Sequence, residues 1–132
     1  MHDDDFAKGI ELMRAVLGEE AAAGALARHE KGVRDGDPDR PDLAIKLAWG
    51  FLFGRPQLSL RERAIVLIAS DVAQGGVPLA LEDHVRVALH AGMTRDEILE
   101  IVFQLAPYCG FPRTRAAGVV INALFASLDA PS

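Results

Sequence analysis

The chain has 132 residues, half of them hydrophobic, and a formal net charge of −5 at pH 7. This length supports one domain whose core buries roughly two-thirds of the surface that the unfolded chain exposes. This net negative charge argues against the basic surface that nucleic acids require. No apolar run reaches the roughly eighteen residues of a membrane span.

The acidity lies at the front of the chain. Residues 1–42 hold eleven Asp and Glu against six Lys and Arg, whereas the rest of the chain is balanced. The acidic start, Met1 to Asp5, differs from the basic start of a secretory signal, so we expect a soluble cytoplasmic protein. Cys109 is the one cysteine, which excludes an internal disulfide and a cysteine-pair metal site. We therefore expect no metal and no cofactor.

Apolar residues recur at helical spacing nearly throughout, and no segment shows the sustained alternation of a half-buried strand. The pattern predicts an all-α bundle of about six to seven helices that forms a single domain over residues 1–132. A connector rich in Gly, Pro and Asp is expected from Gly32 to Pro41. The predicted helices lie near residues 5–17, 19–31, 41–54, 60–74, 79–91, 95–106 and 112–127.

Two helix starts carry the sequence of a capping box, in which a hydroxyl and a glutamate satisfy unpaired amides. Ser59 is followed by Glu62, and Thr94 by Glu97. Gly92, shortly before Thr94, is typical of a helix that has just ended.

Two helical segments, Ala64–Ala73 and Ala116–Leu128, are apolar almost all round, which predicts burial on every side. A small domain can bury one helix on all sides at its centre. The second apolar segment therefore indicates a subunit interface and a homo-oligomer. The alternative is a flat bundle that buries both helices internally. Asp71 lies within the first segment and needs a partner if buried, for which an arginine is the default expectation.

From Asp42 onward, the order of short motifs resembles the carboxymuconolactone decarboxylase family. The front helix also resembles that family's first helix. The resemblance implies an alkylhydroperoxidase-like helical fold, assembly as trimers or hexamers, and sites near subunit contacts. The motifs are Ala48-Trp49-Gly50, Gly54-Arg55-Pro56-Gln57-Leu58-Ser59, Arg61-Glu62-Arg63, His84-Val85-Arg86-Val87-Ala88-Leu89, Gly92-Met93-Thr94 and Tyr108-Cys109-Gly110-Phe111-Pro112.

The chain departs from related patterns at two places. Alkylhydroperoxidase-like members carry Cys-x-x-Cys-x-x-x-His, but Val77 and Ala80 occupy the thiol positions before His84, which excludes peroxide reduction by that dithiol. Phe51 and Phe53 stand where the family's decarboxylases carry a Glu and a Trp. These substitutions make the predicted site more apolar.

His84 is the candidate general acid, because an imidazole exchanges protons near neutral pH without special surroundings. The same side chain would serve as a base in an isomerisation, and a lone helical His is often purely structural. Arg55, just before Pro56, is the candidate for holding an anionic group. The alternative for Arg55 is an exposed side chain that caps the preceding helix.

Four aromatic residues complete the predicted site as substrate-binding candidates. Trp and Tyr provide flat walls with one polar edge, although both are also ordinary core residues. Of the two, Tyr108 is favoured as lining the site and Trp49 as part of the core. The substrate-binding candidates are Tyr108, Phe51, Phe53 and Trp49.

The resemblance implies a cofactor-free, decarboxylase-like lyase acting on a small unsaturated or lactone carboxylic acid of the 4-carboxymuconolactone type, in aromatic compound catabolism. One alternative is isomerisation, cyclisation or dehydration of a more hydrophobic biosynthetic intermediate. Another is a non-catalytic binding or assembly protein that kept the fold. In the leading hypothesis the partners are a small acid and further copies of the chain, without nucleic acid or membrane.

Overall fold

A computed structural model describes residues 1–75 and 78–131, and within them every regular element is helical, which confirms the all-α prediction. Val77 lies outside the described residues, and Ala80 is half-buried. In the described chain the elements are α1 (Asp5–Leu17), α2 (Glu19–Arg34), α3 (Asp39–Ala44), a π-helical segment (Ile45–Leu52), α4 (Leu60–Gln74), α5 (Pro78–His90), α6 (Arg95–Cys109) and α7 (Phe111–Asp129).

The predicted boundaries hold to within a few residues, with three informative differences. Helix α2 continues to Arg34, which shortens the expected connector to residues 35–38. Helix α6 continues through Pro107 to Cys109, because a proline in the last turn removes only one backbone hydrogen bond. The expected helix over residues 41–54 is an α-helix that widens into a π-helix.

Both predicted capping boxes are present. Ser59 Oγ accepts from Glu62 N at 3.1 Å, and Glu62 Oε1 accepts from Ser59 N at 2.9 Å. At α6, Thr94 Oγ1 accepts from Glu97 N at 3.1 Å, and Glu97 Oε1 accepts from Thr94 N at 2.9 Å. Each box satisfies two amides that would otherwise lack partners at a helix start.

The backbone groups into two compact units, residues 1–58 and residues 59 onward. In the N-terminal unit, α1 packs on the π-helical segment and on α2. A methyl group on Gly50 would lie 1.9 Å from the carbonyl oxygen of Asp5, so only glycine permits this approach of α1. The buried apolar residues of this unit are Ile10, Met13, Ala22, Ala25 and Ile45.

The π-helical segment is marked by hydrogen bonds that reach five residues back. Phe53 N donates to Ala48 O at 3.1 Å. A π-helix holds more residues per turn than an α-helix, and it occurs mostly as a short insertion within an α-helix, frequently at functional sites. It changes the direction in which Trp49, Phe51 and Phe53 leave the helix axis.

The C-terminal unit consists of α4 to α7. Helix α4 packs on α5 and α6, and α7 packs on α5 and α6. Ion pairs join element ends within this unit: Arg61 to Glu97, and Arg95 to Asp129 at 2.8 Å. The fully buried larger side chains of this unit are Ile68, Val85, Val87, Ile98 and Ile121.

The helices that are apolar all round are not covered on every side by the chain itself. In α7, Val119 is 67% exposed and Leu128 is also exposed, while α4 exposes Val66. The predicted burial of these segments is therefore incomplete within one copy. Across the described residues, no helix combines the length and apolar character needed to cross a lipid bilayer.

Candidate active site

The candidate general acid, His84, is held by a carboxylate. His84 Nδ1 lies 2.5 Å from Asp71 Oδ2, and both side chains are mostly buried. Helices α4 and α5 pack together, which brings the two residues into contact although they are 13 positions apart. The expectation that Asp71 pairs with an arginine is wrong, because its partner is His84.

This pairing defines the chemistry of the imidazole. A carboxylate oxygen accepts a hydrogen bond, so Nδ1 carries the proton and Nε2 is left as the nitrogen for proton transfer. The carboxylate also supplies a counter-charge when the ring is protonated. Asp83, the neighbour of His84, is a separate acid, and partial burial raises its pKa.

Asp71 also belongs to the wall of a cavity of about 260 Å³ in the C-terminal unit. His84 itself does not line the cavity, but its imidazole is hydrogen-bonded to Asp71, which does. Apolar side chains dominate the lining, which also contains Arg113. The other lining residues are Val72, Gly75, Pro78, Leu81, Pro112, Ala116, Ala117 and Val120.

Arg113 lies in the first turn of α7, and its Nη1 donates to the carbonyl oxygen of Ala73 near the end of α4. The side chain contributes a positive charge to a largely apolar lining. Sequence reasoning did not single out Arg113, since nothing in the spacing of the chain relates it to α4. It also assigned Asp71 a structural role, although a single acid within an apolar helix was the available signal.

Arg55 lies in the N-terminal unit, at an open cavity of about 430 Å³. Its guanidinium carbon lies 5.3 Å from the centre of the Phe51 ring, a cation–π geometry. His2 contacts the same ring edge-on at 6.1 Å, and Asp5 forms another part of the lining. Of the predicted site residues, the structure thus brings Arg55 and Phe51 together.

Trp49 and Phe53 form a second aromatic pair in the N-terminal unit, edge to face, with ring centres 5.4 Å apart. Trp49 also packs against the buried core of that unit, in agreement with the favoured core assignment.

Tyr108 lies in the last turn of α6 and is 79% exposed, and it does not contribute to the lining of the 260 Å³ cavity. Its role as a substrate-binding residue stays a prediction, as does the convergence of Arg55 with His84.

A second His–Asp pair exists, but its surroundings differ. His29 Nδ1 lies 2.6 Å from Asp42 Oδ2, and Asp42 is 1% exposed. The other carboxylate oxygen, Oδ1, is buried without a hydrogen-bond partner. The ring of His29 stacks on Phe6. This pair ties α2 to α3 in the N-terminal unit, and neither residue lines a described cavity.

Comparison with known proteins agrees with the family resemblance seen in the sequence. Residues 38–120 match the model of the carboxymuconolactone decarboxylase family. The chain is 30% identical to 4-carboxymuconolactone decarboxylase of Acinetobacter baylyi over 97% of its own length and 92% of that protein. It is 32% identical to nitrosuccinic acid decarboxylase of Metarhizium robertsii, over 91% of its own length and 80% of that protein.

Proposed function

We propose that this chain, which belongs to the carboxymuconolactone decarboxylase family, is a decarboxylase-type lyase that acts on a small carboxylic acid through His84. The family membership and the decarboxylase names of two relatives support an enzyme of this kind. Both names denote acids with an electron-accepting group, a lactone in one and a nitro group in the other. The proposed substrate class is therefore an activated small acid.

In the proposed step, the bond between the substrate carbon and its carboxylate breaks, and carbon dioxide leaves. The electron pair stays on the substrate and is delocalised into its carbonyl or nitro group, which gives an enolate or nitronate. Nε2–H of protonated His84 then delivers a proton to that carbon, and the neutral imidazole regains a proton from water. General acid catalysis of this type contributes about 10²- to 10⁴-fold in rate.

The observation that carries this proposal is the hydrogen bond between His84 and Asp71 beside an apolar cavity. An apolar wall favours a transition state in which the negative charge of a carboxylate is dispersed, because the compact ground-state anion loses more solvation there. Asp71 keeps the imidazole in the orientation and tautomer that leave Nε2 for transfer. It acts as a positioning residue, because it works through His84.

Arg55 is proposed to hold an anionic group of the substrate, with Phe51, Phe53, Trp49 and Tyr108 as aromatic contacts. Support comes from the guanidinium of Arg55, which lies over the Phe51 ring at the edge of an open cavity. The chain is further proposed to act as a homo-oligomer without a cofactor.

The test is a decarboxylase assay with 4-carboxymuconolactone and, separately, nitrosuccinate. We expect His84→Ala to lower kcat by about 100-fold or more and Arg55→Ala to raise KM. His90→Ala is the matched control, since His90 is an exposed residue of the same helix. Unchanged turnover in His84→Ala, or equal losses in His84→Ala and His90→Ala, would overturn the mechanism.

A second candidate function is suggested by Phe51 and Phe53, which stand where the family resemblance implies a Glu and a Trp. In this alternative the enzyme isomerises, cyclises or dehydrates a more hydrophobic intermediate, with His84 as the base. The two candidates differ in their products. Release of carbon dioxide that depends on His84 supports the first, whereas a product of unchanged carbon number supports the second.

A further inference from the structure

The cavity of the C-terminal unit contains a charge arrangement that the proposed step does not use. Its lining is apolar except for Asp71 and Arg113. Asp71 is already engaged by His84, so its charge is balanced when the ring is protonated. Arg113 is exposed, and within the described chain its one polar contact is the carbonyl of Ala73 near the end of α4, which leaves the guanidinium without an acidic partner there.

Part of the role of Arg113 is structural, because its contact with Ala73 O caps the end of α4. A positive charge in the first turn of α7 opposes the dipole of that helix, whereas the same charge beside the end of α4 is favourable for α4. The contact with Ala73 O takes one of the five N–H groups of the guanidinium, and no acid among the residues that the structure describes engages the other four. A guanidinium beside an apolar cavity matches an organic anion, whose carboxylate meets the fork and whose carbon skeleton meets the walls.

We infer that Arg113 binds a carboxylate of a small organic acid in this cavity, and that it is a specificity-determining residue for the substrate. The inference rests on the proposed function for the substrate class. A diacid keeps one carboxylate when the other leaves as carbon dioxide. Arg113 holds the carboxylate that stays, and the apolar wall of Val72, Leu81 and Val120 contacts the carbon skeleton.

Binding is measured without turnover, so that the result does not depend on the reaction. The probes are benzoate and its neutral isostere benzamide, titrated into the folded chain while the methyl NMR signals of Val72, Leu81 and Val120 are followed. We expect benzoate to shift these signals and to bind at least about tenfold more tightly than benzamide, since a charge-assisted pair is the stronger contact.

Arg113→Gln is expected to weaken benzoate binding about tenfold and to leave benzamide binding unchanged. Arg115→Gln is the matched control, because Arg115 is on the same helix and does not line this cavity. Arg113→Lys keeps the charge and is the second variant if Arg113→Gln does not fold, since loss of the Ala73 contact also removes a helix cap. Lysine lacks the planar fork, so we expect it to retain part of the affinity.

The inference is overturned if benzoate shifts no cavity signal, if Arg113→Gln or Arg113→Lys binds benzoate with unchanged affinity, or if Arg115→Gln loses as much. These outcomes are distinct from failure of the proposed function. Benzoate binding that depends on Arg113 without decarboxylation removes only the reaction. Decarboxylation that depends on His84, with KM unchanged in Arg113→Gln, removes only the role of Arg113.

Discussion

At the residue scale, the hydrogen bond between Asp71 and His84 decides which nitrogen of the ring is available. In the wild-type chain the Asp71 carboxylate accepts from Nδ1–H. An amide at this position offers N–H groups that compete as donors to Nδ1, and it removes the counter-charge of the protonated ring. The ring would then lose the interaction that fixes its tautomer and orientation.

We therefore predict that Asp71→Asn lowers kcat by about 10- to 100-fold, with little change in KM, because one hydrogen bond to a charged group is worth about 1.5–3 kcal/mol. The ¹⁵N NMR signals of neutral His84 should change from one tautomer toward the other. Asp83→Asn is the control, since that carboxyl does not bond the ring. A loss of kcat without any change of the ¹⁵N pattern would assign Asp71 a structural role instead.

The limit of sequence reasoning is visible at this pair. The sequence marks its two members for separate reasons, His84 as a titratable residue and Asp71 as an acid within an apolar helix. Pairing them requires the relative rotation of α4 and α5, which helical periodicity within each segment does not contain. Arg113 shows the same limit more strongly, because its contact with Ala73 spans 40 residues, with α5 and α6 between the two.

At the element scale, the start of α6 is fixed by two interactions that converge on Glu97. Its side chain caps the helix through Thr94 N and also accepts from the guanidinium of Arg61 at the start of α4. The hydrogen bond from Arg61, together with that from the Thr94 backbone, lowers the pKa of Glu97 to about 2. Helix α6 is thereby coupled to α4 through one carboxylate.

This lowered pKa makes a prediction about acid stability. The stabilisation is complete above the unfolded pKa, near 4.5, and is lost as the pH falls toward the folded pKa of about 2. Glu97→Gln should lower the melting temperature at pH 6 and flatten its dependence on pH between about 4.5 and 2. Glu100→Gln, on the exposed side of the same helix, should do neither. Parallel pH curves for wild type and Glu97→Gln would contradict the assignment.

Element boundaries were predicted well where local chemistry sets them. The boxes at Ser59 and Thr94 act within four residues, so their sequence is sufficient to identify them. The widening of the helix after Ala44 is different. It accompanies the close approach of α1 at Gly50, which is a packing requirement between segments some 45 residues apart. No local sequence pattern in residues 45–52 predicts the π-helical winding.

At the scale of the whole molecule, several large apolar side chains of the C-terminal unit are exposed to solvent in a single copy of the chain. Phe111 is 78% exposed and shares a shallow groove with Val119. Monomeric proteins seldom leave apolar patches of more than a few hundred Å² in water. The incomplete burial of α7 thus supports the predicted homo-oligomer.

Light scattering with size-exclusion chromatography checks this prediction. We expect the wild-type chain to have a mass that is a multiple of 14.2 kDa and Val119→Glu to shift toward smaller species, because a charge in an apolar interface is costly to bury. Val33→Glu, an exposed valine of the N-terminal unit, is the matched control. A wild-type chain of monomeric mass at micromolar concentration would contradict the prediction.

The π-helical winding of residues 45–52 decides how this part of the chain responds to a change in length. A π-turn holds one residue more than the α-turn that it replaces, so the loss of one residue in this stretch is absorbed when the winding changes from π to α. Such a deletion would redirect side chains inside the stretch, such as Phe51, and leave Phe53 and Arg55 pointing as they do. Changes of length in this stretch therefore alter the aromatic side chains within it and spare the residues that follow.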